Sequence, residues 1–188
     1  MKRLCSTLSL FCICALQITH AQSNSGFREE FFKDTSMLNL TIVTNTTRLF
    51  KNNKQGFILP AAAVAKLSNG TSVNDRIEIE VRGHFRHDYC YVPPLKVIFN
   101  YDKSSVLSSL KSLKLVNECK VSNVYDQYLL KEFIAYKIYN LITDLSFRVR
   151  LLTVNFADSL GKKKTLTTHS FLLEDIKDVA KRNDCEQY

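Results

Sequence analysis

The chain has 188 residues, 45% of them hydrophobic and 23% charged, with a formal charge of +8. That length and apolar content fit one domain with a real core. The positive charge is spread along the chain and lacks the dense Lys/Arg stripe with interleaved aromatics of a nucleic-acid binder, so no nucleic-acid partner is expected.

Lys2 and Arg3 precede an almost uncharged apolar run, Leu4 to Ile18, and Thr19-His20-Ala21 puts small residues at the two positions a signal peptidase reads. The run is 15 residues long, short of the about 20 that a membrane-crossing helix needs. Residues 1–21 therefore read as a cleavable signal peptide, cut before Gln22. The mature chain is expected to be exported (periplasmic, cell-surface or secreted), with no stable membrane span. Cleavage leaves 167 residues and, with Lys2 and Arg3 gone, a charge of +6. For a mildly basic exported domain the open partner classes are a protein or an anionic polymer. Cleavage also removes Cys5, Cys12 and Cys14, so Cys90, Cys119 and Cys185 remain. In an oxidising compartment one pair forms and one thiol is left over. Cys90 and Cys119 lie at the edges of strand-like segments and are the expected disulfide. Cys185, in a polar tail, is left free or pairs with something outside the chain.

Residues 22–35 read as a polar leader and residues 36–188 as a single α+β domain, truncated at its C-terminal end. Met37 to Thr44 alternates as a strand, with Leu38, Leu40 and Ile42 on one face. Phe57 to Leu67 is extended or mixed, and Pro60 marks an edge or a break. Asn69-Gly70 signals a hairpin. Ile77, Ile79 and Val81 alternate with Glu78, Glu80 and Arg82, and Leu95, Val97 and Phe99 repeat the pattern after Pro93-Pro94. A short helix over Ser104 to Ser112 precedes a strand at Leu113 to Val116. Val124 to Thr143 is a long helix free of Gly and Pro. Its Leu129, Phe133, Tyr136 and Ile138 cover more than one face, which predicts packing on both sides. Phe147, Val149 and Leu151 open a strand, a turn at Asp158 to Lys164 sends it back as Thr165 to Leu173, and Glu174 to Arg182 begins a last helix. The expected fold class is α+β, a mainly antiparallel sheet with one long helix packed on it.

Within that order, Lys96 lies on a strand, Glu132 in mid-helix, and a strand pair exits through Phe171-Leu172-Leu173-Glu174-Asp175. The N-terminal lobe of kinase-like folds has the same order. There a strand lysine binds nucleotide phosphates, a helix glutamate orients it, and the chain leaves beside the adenine. The segments Arg82-Gly83-His84-Phe85-Arg86, Pro93-Pro94-Leu95-Lys96, Leu113-Lys114-Leu115-Val116, Tyr128-Leu129-Leu130-Lys131-Glu132 and Ser146-Phe147-Arg148-Val149-Arg150 resemble the N-terminal half of a family of exported bacterial proteins similar to the spore-coat CotH-type kinases. The resemblance runs over roughly residues 36–182. It implies an atypical kinase-like fold, with ATP and a divalent metal, in which Lys96, Glu132 and Glu174 bind nucleotide and Arg82 and Arg86 contact phosphate.

The family carries its catalytic and metal-binding aspartates in a second lobe. Here Asp175 and Asp178 lie too close to the exit to serve, and the glycines at 26, 56, 70, 83 and 161 form no phosphate loop. The expectation is thus a lobe that is not catalytically competent alone and holds no cofactor, with ATP and Mg belonging to a longer form. It carries a Lys96–Glu132 contact within about 4 Å. The alternative is a periplasmic or surface binding module with no nucleotide chemistry. No Gly-x-Ser-x-Gly elbow occurs. His84, His87 and Cys90 are spaced three apart, which on a strand alternates faces and offers no fourth ligand, so no metal is expected there. Asn39, Asn45 and Asn69 fit the glycosylation pattern.

Overall fold

Alternating apolar side chains give each strand one dry face, and these faces are covered by closing on one another. The computed structural model describes residues 24–51, 54–83, 89–99, 103 and 105–186. The strands are β1 (Leu38–Thr44), β2 (Ile58–Lys66), β3 (Ser72–Val81), β4 (Leu95–Ile98), β5 (Ser112–Asn117), β6 (Val149–Asp158) and β7 (Leu166–Leu173). They form a closed barrel in the order β1-β2-β3-β4-β5-β7-β6. The helices are α1 (Asn24–Lys33), α2 (Thr46–Lys51), α3 (Asn123–Ile142) and α4 (Ile176–Arg182), with a 3-10 turn at Val106–Leu110.

The expected α+β fold, a mainly antiparallel sheet with one long packed helix resembling a kinase-like lobe, is corrected by this topology to a closed, mixed seven-strand barrel. β1 runs parallel to β6, with Leu40 opposite Val154, and antiparallel to β2, with Leu40 opposite Ala65. The first strand thereby joins the two ends of the sheet and leaves no edge. Alternation shows that a strand has one buried face; it cannot show that the sheet's ends meet. Pro60 fits because the β1 ladder on β2 covers only Ala62 to Ala65, so Pro60 lies beyond it.

Leu38, Leu40 and Ile42, Ile77, Ile79 and Val81, Leu95 and Val97, and Leu152, Val154 and Phe156 fill the interior. Ala61, Ala63 and Ala65 give β2 a small inner face that leaves room for rings such as Phe156. The segment read as a polar leader contains α1, whose Phe31 and Phe32 enter the core. Arg150 fastens α1 there. Its Nη1 donates to Phe31 O at 2.7 Å and its Nη2 to Asp34 Oδ2 at 2.8 Å. At the other end of β6, α2 buries Leu49, and Asn45 Oδ1 caps α2 by accepting from Arg48 N at 2.9 Å. Asp158 accepts from Thr46 N and Thr46 Oγ1, tying α2 to the end of β6.

The hairpin at Asn69-Gly70 forms as expected. Gly70 has φ +84°, and Asn69 Oδ1 accepts from Thr71 N at 3.0 Å. Cys90 and Cys119 are joined by a disulfide, their Cα atoms 4.4 Å apart. Cys185 is exposed and unpaired. No helix among the described residues is long and apolar enough to cross a membrane. The signal assignment at 1–21, Arg86, His84 and His87 lie outside the described residues.

Candidate functional site

The outer face of β5, β6 and β7 carries a second, smaller core. Val116, Val149, Phe171 and Leu173 project there and receive Leu129, Phe133 and Tyr136 of α3, together with Phe147. Tyr136 packs edge-on against Phe147 and tilted against Phe171. Asn140 Nδ2 donates to Phe147 O at 2.7 Å and fastens the end of α3. The middle turns of α3 thus turn Leu129, Phe133 and Tyr136 inward.

Its other side is also apolar, and this corrects the expectation of packing on both sides. Leu129 is the one fully buried residue of the helix. Ile134, Ile138, Leu141 and Ile142 face outward, with Leu141 88% and Ile142 72% exposed. Tyr128, Tyr139 and, after the helix, Leu145 continue the patch. Lys131 lies over the Tyr128 ring at 5.8 Å and Lys137 over Phe133 at 5.7 Å, so both lysine stems cover aromatic surface. Burial, and then the charge of Arg150, push the Lys137 ammonium below its ordinary range. A groove of about 420 Å³ runs along the edge of the patch between Glu132, Tyr136, Tyr139, Leu145 and Phe147. Burial raises the Tyr136 hydroxyl, the Glu132 carboxylate raises it further, and Arg82 opposes.

Lys96 and Glu132, the expected central pair of a nucleotide site, do not meet. Lys96 pairs with Glu80 Oε2 at 3.3 Å, and no Lys96–Glu132 contact within 4 Å forms. The reason is register. Glu80 lies directly across the β3–β4 ladder from Lys96 and takes its ammonium. Glu132 faces the groove, exposed. Glu174 is 1% exposed and accepts from Arg148 N at 3.1 Å and from Arg182 at 3.4 Å, so it clamps α4 to the start of β6. Arg82 Nε donates to Leu95 O at 2.9 Å. A separate cleft of about 430 Å³ gathers Arg28, Lys111, Arg148, Lys181 and Arg182 around Glu174 and Asp178. Within it Asp178 binds Arg28 at 2.8 Å and Lys111 at 3.1 Å.

Sequence reasoning missed a cluster under the first turn of α3. Glu118, Asp126 and His169 bring their ligand atoms within 4.8 Å of one another. No motif spacing announces it, because His169 arrives from another strand. Ser170 pairs with Asn117 across β5–β7, so the next positions, 118 and 169, also face each other.

No protein-family model, curated protein or solved structure matches the chain.

Proposed function

We propose that the protein is an exported binding module that works through the outward face of α3, and that the occupant of this face is a second copy of the chain. The observation that carries the reading is that α3 has large apolar side chains on both sides while only one side is covered. A helix of that kind belongs in an interior, and contiguous exposed apolar surface on this scale marks an interaction site. Eight large apolar side chains between Val124 and Leu145 are more than half exposed. A standard interface buries about 800 Å² per partner, and this patch, along a helix about 30 Å long, is of that order.

The face is self-complementary. An antiparallel α3 pair centred between Lys131 and Glu132 brings each lysine to the glutamate of the other copy. The same pairing sets the large Tyr128 over the small Ala135 and Val124 beside Tyr139. The nucleotide reading draws less support, since Lys96 is engaged by Glu80 and Glu174 is buried in a structural clamp.

The test is sedimentation of the mature, disulfide-bonded chain across a concentration series. A reversible dimer is expected, weakened at least tenfold by Lys131→Glu or Glu132→Lys alone and restored by the double exchange. A wild-type chain that stays monomeric at about 100 μM, a concentration at which a specific interface of this size is occupied, overturns the reading.

A further inference from the structure

We infer that Glu118, Asp126 and His169 form a divalent-cation site whose donor set suits zinc. The three residues come from different elements: Glu118 follows β5, Asp126 is in the first turn of α3, and His169 is on β7. The Cys90–Cys119 bridge pins the chain directly beside Glu118, and Tyr91 N donates to Cys119 O at 2.8 Å. The cluster is therefore held from the barrel side by a ladder and a disulfide, and from above by a helix.

Glu118 is 6% exposed, and its Oε1 accepts from His169 N at 3.1 Å. A carboxylate so deeply set needs a compensating charge. His169 Nδ1 lies 2.8 Å from Asp126 Oδ1. This oxygen is shut off from solvent and accepts no well-formed hydrogen bond. One imidazole and two carboxylates thus bring ligand atoms within 4.8 Å of one another, the Glu118 carboxylate being buried. A cation drawing lone pairs from all three groups would satisfy the buried Asp126 oxygen and compensate the Glu118 carboxylate.

The donor set selects the ion. Zinc takes imidazole nitrogen and carboxylate oxygen at about 2.0–2.2 Å, which sets neighbouring ligand atoms about 3.3 Å apart and needs only small side-chain rotations from the present spacing. Calcium and magnesium prefer all-oxygen shells with more ligands. Three protein ligands leave a position open to water or to a group from outside. Bound zinc would tie the start of α3 to β7, so it would set how firmly that helix is held on the barrel. This inference does not depend on the docking reading, since the ligands lie under the helix and away from its outward arc.

The experiment uses chelator-stripped, disulfide-intact protein with Cys185→Ser, which removes the free thiol as a competing ligand. Zinc chloride is titrated by calorimetry, and melting is followed in parallel. The expected result is one equivalent of zinc with a Kd below about 10 μM, and a rise in Tm of several degrees when zinc is in large excess over Kd. Cobalt should give the visible absorption of a four- or five-coordinate site. His169→Ala and Asp126→Asn change partly exposed side chains, and each should weaken zinc binding at least tenfold while keeping the far-ultraviolet spectrum. Absence of heat and of a Tm shift overturns the inference. So does zinc binding that His169→Ala leaves unchanged, or a preference for calcium over zinc.

Discussion

Arg150 places a charge at the base of the barrel interior, 4% exposed, with its guanidinium 5.3 Å from the Phe31 ring centre. Asp34 is its acid. Burial alone would raise the Asp34 carboxyl, but hydrogen bonds from Ser68, the Ser36 amide, Arg150 and the Ser36 hydroxyl outweigh it and hold the group far below the usual carboxylate range. A carboxyl depressed in the folded state contributes stability that is present above its unfolded value, about 3.9, and is lost as pH falls through the folded value. Asp34→Asn should therefore cost about 2–3 kcal/mol at neutral pH, less than a fully buried broken pair because Asp34 is partly exposed. The gap to wild type should narrow below about pH 4, as read from denaturant titrations at several pH values. A gap that stays constant into acid would remove Asp34 from this role. The same scale explains Lys96. A cross-strand acid at the same register captures a lysine before a helix acid can reach it.

α3 is the element on which stability and function separate. Leu129 reaches Phe171 and Val149 on the barrel's outer face. Leu129→Ala should cost about 2–4 kcal/mol as a cavity-forming change. Leu141 touches little of its own chain, so Leu141→Ser should shift stability by no more than about 0.5 kcal/mol. Thermal melts of the two variants check this, and comparable losses would mean that the outward arc is structural after all. The Cys90–Cys119 bridge closes a loop of 29 residues just before α3 begins. Replacing both cysteines with serine should lower stability by about 3–4 kcal/mol on the loop-entropy account. Hydrogen exchange in the first turn of α3 should rise with it.

At the scale of the whole molecule, β1 decides the architecture. It pairs with β6 over Leu38 to Thr44 and with β2 over Leu40 to Val43. A strand bonded on both sides opens only when the barrel opens. The amides of Leu40 to Val43 should therefore exchange with the same free energy as those of β6 and β7, and exchange as fast as a frayed edge would contradict closure. α1 and α2 finish the two ends of the barrel, and Arg28 links α1 to Asp178 of α4 and to Leu110 O.

Much of this was legible from residues alone, because it depends on neighbours close in sequence. Period-two alternation pointed to β1, β3, β4 and β6, the turn at Asp158 to Lys164 implied β7 as a returning strand, Asn69-Gly70 placed its hairpin, and the Gly- and Pro-free run from Val124 announced α3, whereas β2 read only as extended or mixed. The disulfide also followed from the positions of Cys90 and Cys119 at strand edges. α1 left a weaker signal in Phe27, Phe31 and Phe32, spaced for one helix face within a polar segment. Closure, the parallel β1–β6 pair and the arrival of His169 beside Glu118 and Asp126 join residues tens to more than a hundred positions apart. Local pattern specifies which face of a segment must be dry. Which distant segment covers it is settled only when all the faces are packed together, and here that packing covers the inner side of α3 and leaves its outer side open.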